Sequence, residues 1–168
     1  GMRLSGHIPR GLSIKGAVTL GYDEFQHAAF LISTFYPDSL LVPVKRAYSN
    51  FAATKAPTFD VSSAQVTDLV DFLQRHGTVV DPTINVYQDR LAPLPDGTDQ
   101  VLGPTIGWMG PIRQRSYAYS ISIDPVETPR TRARTATYMK YLKRLYDGGV
   151  TILPGTEVQR IYQSAVVN

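Results

Sequence analysis

The sequence predicts an α/β fold organised around a parallel sheet, and three observations predict it. Extended, β-branched runs alternate with helical periodicities along the chain. The connections between the extended runs are long enough for crossover helices, which parallel pairing requires. Finally, 168 residues, 43% of them apolar, suffice for one hydrophobic core. Residues 1–168 are therefore read as a single domain.

The first extended run is Arg3 to His7, followed by a Pro-Arg-Gly turn. Ser13 then caps a short helical run bearing Ile14, Ala17 and Val18, and Gly21 closes it. Asp23 to His27 is the second strand. After it, "AAFLISTFY" leads into a stretch punctuated by Pro37, Pro43 and Pro57, where no element is assigned. At "SSAQ" a capping box opens a helix whose Val66, Leu69, Val70 and Leu73 fall at i, i+3, i+4 and i+7, with Gly77 as its stop.

Thr78 to Thr83, "TVVDPT", is a β-branched strand ended by proline. Residues 91 to 129 hold ten Gly or Pro residues and read as a long loop around Trp108, either functional or disordered. Arg130 to Asp147 is a helix with Met139, Leu142, Leu145 and Tyr146 on one face, and "GGVTILPGTE" provides its glycine cap and the last strand. No repeat of constant length accompanies this alternation.

Composition excludes several classes of function. There is no cysteine, hence no disulfide, thiolate zinc site or cysteine nucleophile, and a metal would have to be held by histidine and oxygen. A net charge of +3 is small for a nucleic-acid binder, and no partner of that kind is expected. No apolar run is long enough to cross a bilayer and no signal-peptide pattern opens the chain, so a soluble protein is expected, with its compartment open. Gly1 before Met2 is read as a residue left by tag cleavage.

In parallel α/β sheets ligands gather at the carboxyl ends of the strands, where the loops and helix amino ends open. His7, His27 and Glu157 sit at such positions. Adjacent parallel strands lie about 4.8 Å apart, so two imidazoles from neighbouring strand ends can reach one cation at roughly 2.1 Å each. A carboxylate from a third strand would complete a two-His, one-carboxylate set, whose natural chemistry is metal-assisted hydrolysis. The other candidates have plainer readings. His76 suits a helix carboxyl end, Asp81 before Pro82 suits a turn, and Arg130, Arg132, Arg134, Lys140, Lys143 and Arg144 suit a solvated helix face. Trp108 and the nearby tyrosines are read as covering apolar surface in preference to forming a lid.

"GHIPRGLS", "AVTLGYDEFQHAAFL", "GTVVDPT" and "LYDGGVTILPGTE", in this order and spacing, resemble the second half of an amidohydrolase-superfamily barrel, of the branch similar to imidazolonepropionase and prolidase-like hydrolases. The resemblance implies a partial (β/α)8 TIM-type barrel of about four βα units, strands five to eight, with inserted loops. It implies a divalent metal, zinc by preference, held by His7 after the fifth strand and His27 after the sixth. Glu157 stands where the family carries an Asp that touches metal and moves the proton of the attacking water. The substrates implied are cyclic amides or peptide-like molecules, cleaved at C–N bonds.

The chain departs from that pattern in two ways. It has no His-x-His motif and no counterpart of the fourth-strand lysine or glutamate, and "GTE" replaces "GTD". A complete barrel takes about 250 residues, so the first half and the family's small β-domain are expected to be absent. The expectations that follow are a metal-dependent hydrolase that is weakly active or inactive as this chain alone, or else a non-catalytic half-barrel or assembly subunit. In each case a homodimer or higher homo-oligomer is expected, because four parallel strands leave two open edges beside side chains suited to a barrel interior.

Overall fold

The computed structural model describes residues 1–9, 11–36, 54–84, 107–112, 114–115 and 127–155. Within them the alternation of strand and helix is realised as β1 (Ser5–Gly6), α1 (Ile14–Thr19), β2 (Glu24–Gln26), α2 (Ala29–Ser33), a 3-10 turn (Ala56–Thr58), α3 (Ala64–Arg75), β3 (Val79–Asp81), α4 (Glu127–Asp147) and β4 (Thr151–Ile152). The four strands form one sheet in the order β1-β2-β3-β4, every pair parallel. Sequential neighbours joined through helices are the arrangement expected of repeated βα units.

Local chemistry explains the helix ends. The Ser13 hydroxyl accepts the Gly16 N–H at 3.0 Å and starts α1. In α3 the cap is Ser63, one residue later than the capping box predicts, and it accepts the Val66 N–H. With Ser63 as cap the third helical position is Val66, whose side chain has no acceptor to return the bond, so the reciprocal box does not form. Asp60 Oδ1 instead accepts the Ser62 N–H at 2.8 Å. Gly77, with φ of +61°, ends the helix in the left-handed region as predicted. The apolar run after β2, unassigned from sequence, is the short helix α2, all of whose residues are buried.

Alternation along the strands divides the sheet into two unlike faces. Phe25 and Val80 are partners in register and both belong to the core, with Ile14, Ala17 and Val18 of α1, Val66, Leu69, Val70 and Leu73 of α3, and Leu145 of α4. The opposite alternation carries Ser5, Glu24, Gln26, Val79, Asp81 and Thr151. That face is polar apart from Val79, which corrects the expectation of apolar side chains suited to a barrel interior. The Ser5 hydroxyl donates to Glu24 Oε1 across it at 2.6 Å. Among the described residues, β1 and β4 each have a single ladder neighbour.

Cross-links tie α3 to both other long connections. Lys15 of α1 pairs with Asp68 of α3, and Arg144 of α4 donates to the Thr67 hydroxyl of α3 at 3.1 Å. The face of α4 turned inward is Arg134, Tyr138, Tyr141 and Leu145, spaced i, i+4, i+7 and i+11. Two sequence expectations fail here. Met139 and Tyr146 are exposed, and Arg134 is buried. The helix rotates to put its aromatic residues inward, where Phe59 stacks on Tyr141 and Phe35 packs on Phe59. Trp108 also departs from expectation: it is 87% exposed. No described helix is long and apolar enough to cross a membrane.

Tyr141 is fully buried, and its hydroxyl has no hydrogen-bond partner among the described residues. Burial pushes that hydroxyl far above the ordinary tyrosine value. A group whose folded pKa is raised contributes stability that is fully present below its unfolded pKa, about 10, and lost as pH rises above it. Urea denaturation of the parent and Tyr141→Phe should therefore diverge in alkali, the parent losing up to about 1.4 kcal/mol more per pH unit above pH ~10. Parallel stability profiles through that range would show that the phenol ionises freely in the fold.

Candidate functional site

The carboxyl ends of β1, β2 and β3 bring together residues far apart in the chain. His7 directly follows β1 and His27 directly follows β2, and the Ser5–Glu24 and Gly6–Phe25 register brings His7 to within one residue of His27 across the ladder. Their Nε2 atoms lie 2.7 Å apart and their ring centroids 4.5 Å apart, with an interplanar angle of 61°. His7 is exposed and His27 half-buried. Phe30, from the first turn of α2, backs both rings, at 5.9 Å from His7 and 6.5 Å from His27 between centroids.

The third strand holds His27 in place. Its backbone N–H donates to the Asp81 carbonyl at 2.8 Å, and the Ala28 N–H donates to the Pro82 carbonyl at 3.0 Å, carrying the parallel ladder past the end of β2. His27 has φ of +71°, which swings its side chain off the strand's alternation. Its Nδ1 meets the Thr83 hydroxyl at 2.6 Å. Thr83 is buried and has φ of +42°, a costly conformation for a β-branched residue. Two such residues represent about 1–3 kcal/mol each, a cost that accumulates at functional sites.

Asp81 behaves as a turn former, as its position before proline predicts: Oδ1 accepts the Thr83 N–H at 3.0 Å. Its carboxylate also seats directly on Gly155, where a β-carbon would collide with Oδ2. The glycine of "LPGTE" is thereby explained by close approach of a side chain from β3. His76 likewise matches its plain reading. It is exposed at the end of α3, stacks on Phe72 and donates from Nδ1 to the Phe72 carbonyl.

Of the predicted site residues, His7 and His27 are brought into contact, and Glu157 lies outside the described residues. Thr83 was not anticipated. Its only sequence signal is its place two residues after Asp81 at the end of a strand adjoining that of His27. Among the described residues no group of three His, Cys, Asp or Glu side chains comes together. The histidine pair is nonetheless a donor set of the right kind for a cation, since imidazole suits zinc. Its 2.7 Å separation is that of two nitrogens sharing one proton. A divalent ion bound here would be held by the two Nε2 atoms in place of that proton.

Comparison with known proteins bears on the fold. No protein-family model and no curated protein matches the chain. Among solved structures it is similar to bottromycin amidohydrolase, with a TM-score of 0.55 at 18% identity over 98% of this chain. The chain spans 34% of that protein's length. Likeness at this identity is a likeness of fold: a parallel α/β sheet of successive βα units.

The contact between Asp81 and Gly155 yields a direct test. Gly155→Ala should lower stability by about 1–3 kcal/mol through overpacking. Asp81→Ala in the same chain should recover part of that loss, giving a coupling of roughly 0.5–3 kcal/mol in a urea double-mutant cycle. Strict additivity would mean that the carboxylate does not rest on this glycine.

Proposed function

We propose that this chain carries the histidine half of an amidohydrolase-type hydrolytic site on a partial (β/α)8 barrel. The observation that supports it best is the convergence of two Nε2 atoms at the carboxyl ends of adjacent parallel strands, in a fold similar to that of bottromycin amidohydrolase. In this reading His7 and His27 hold a divalent cation, zinc by preference, with Glu157 as the third ligand and proton-transferring carboxylate. When bound, such a cation supplies Lewis-acid polarisation of a carbonyl and acidifies water.

The chain's own residues do the remaining work. Thr83 and Phe30 orient the imidazoles, and the polar sheet face below them, with Gln26 and Asp81 nearest the strand ends, offers hydrogen bonds to an amide substrate. The substrates proposed are cyclic amides or peptide-like molecules cleaved at C–N bonds. Glu157 is one methylene longer than the family's Asp and displaces the carboxylate by about 1.5 Å, a misplacement that damages catalysis. Weak turnover by this chain alone is the consequence.

Metal analysis after dialysis tests this reading. The parent should retain zinc, each of His7→Ala and His27→Ala should lose most of it, and the double variant should lose all of it. Retention by the parent no greater than by the double variant overturns the proposal. On amide and lactam panels the parent should stay near background and Glu157→Asp should exceed it, whereas a drop on that substitution removes Glu157 from the assigned role.

The second reading, an assembly subunit, draws on the single ladder neighbours of β1 and β4. Such edges favour pairing between copies of the chain, and a two-fold dimer is the simplest closure. Light scattering coupled to size exclusion at micromolar concentration should give a mass above the 18.6 kDa of one chain. A monomer throughout that range rules out association through these edges.

A further inference from the structure

We propose that Thr83 is the positioning residue that sets the tautomer of His27, its hydroxyl accepting Nδ1–H so that the Nε2 lone pair faces His7. The inference deepens the metal-site reading and rests on it for its functional meaning. Its structural content is independent of any metal.

A neutral imidazole carries one proton, and the partner of one ring nitrogen decides the role of the other. At His27 the two nitrogens face unlike surroundings. Nδ1 points to a hydroxyl on a residue only 4% exposed, and Nε2 points to the exposed His7. A hydroxyl can donate or accept, but only a proton on Nδ1 leaves Nε2 able to serve as a ligand beside His7. Partners of this kind, bonded to the far nitrogen of a ligating histidine, fix its tautomer and ring orientation.

The backbone around Thr83 is arranged to hold this one contact. The residue sits at φ of +42°, in a region a β-branched side chain avoids. Three bonds keep it there against that cost: Asp81 Oδ1 accepts its N–H, and the Asp81 and Pro82 carbonyls accept the N–H groups of His27 and Ala28. Asp81 is itself seated on Gly155 of the next strand's loop. The imidazole and the hydroxyl are thus both referred to the end of β3, and their 2.6 Å separation follows from the ladder and not from the freedom of a loop.

Long-range 15N–1H correlation spectra of the metal-free protein, taken at about pH 8 where an ordinary imidazole is neutral, read the tautomer directly. The parent should show His27 protonated on Nδ1. Thr83→Val, which keeps the shape and loses the hydroxyl, should shift the proton toward Nε2, and Thr83→Ser should keep the parent state. Should Thr83→Val fail to fold, Thr83→Gly relieves the backbone, lacks the hydroxyl, and must produce the same shift.

Zinc titration of the same set should show about 10–100-fold weaker binding for Thr83→Val, with Thr83→Ser restoring affinity. A parent proton on Nε2 of His27, or a tautomer indifferent to losing the hydroxyl, overturns the proposal. If the tautomer responds as expected but no variant binds zinc, the positioning role stands and the metal reading falls.

Discussion

The parallel pairing of β2 with β3 is the constraint on which the rest of the structure depends. It aligns Glu24 with Val79, Phe25 with Val80 and Gln26 with Asp81, and it continues past the strand end through the His27 and Ala28 N–H groups. Because side chains alternate along a strand, a slip of one residue would exchange the buried Phe25 and Val80 for the polar face and carry His27 away from Thr83. Core burial and site geometry are therefore enforced by the same register. The apolar face gives the register its energy, and the strand ends carry the histidine pair.

This division explains how the fold tolerates strained backbone beside the histidine pair. Two non-glycine residues in the left-handed region and two imidazoles in contact all lie beyond the last strand positions, outside the apolar core. The core itself is conventional, with aliphatic residues of α1 and α3 packed on Phe25 and Val80 and an aromatic stack closing over Tyr141. The sheet's other face is unlike a second core. Its Ser5, Glu24, Gln26, Asp81 and Thr151 suit contact with water, so hydrophobic stabilisation comes from one side of the sheet.

Much of this was legible along the chain where the cause is local. The spacing of Val66, Leu69, Val70 and Leu73 made α3 readable, and all four are buried. Ser13 and Gly77 acted as the start and stop signals their chemistry predicts. The errors arose where a local rule was outvoted by packing. Ser62 offered a plausible cap, yet Ser63 took it. Met139 and Tyr146 fit a helical stripe, yet α4 turned Tyr138, Tyr141 and Arg134 inward to meet the aromatic residues near Phe59, a choice that periodicity alone does not make.

The sequence by itself determined the alternation of strand and helix, the absence of cysteine chemistry, and the placing of His7 and His27 at the ends of successive strands. Each follows from residue type and short-range periodicity. Tertiary structure alone decided that the imidazoles meet, that the Thr83 hydroxyl reaches His27, and that Gly155 exists to admit Asp81. These contacts join residues 20, 56 and 74 positions apart (27 − 7, 83 − 27 and 155 − 81). They depend on the register and spacing of strands brought together by burial, and no local pattern in the chain encodes a distance across a sheet.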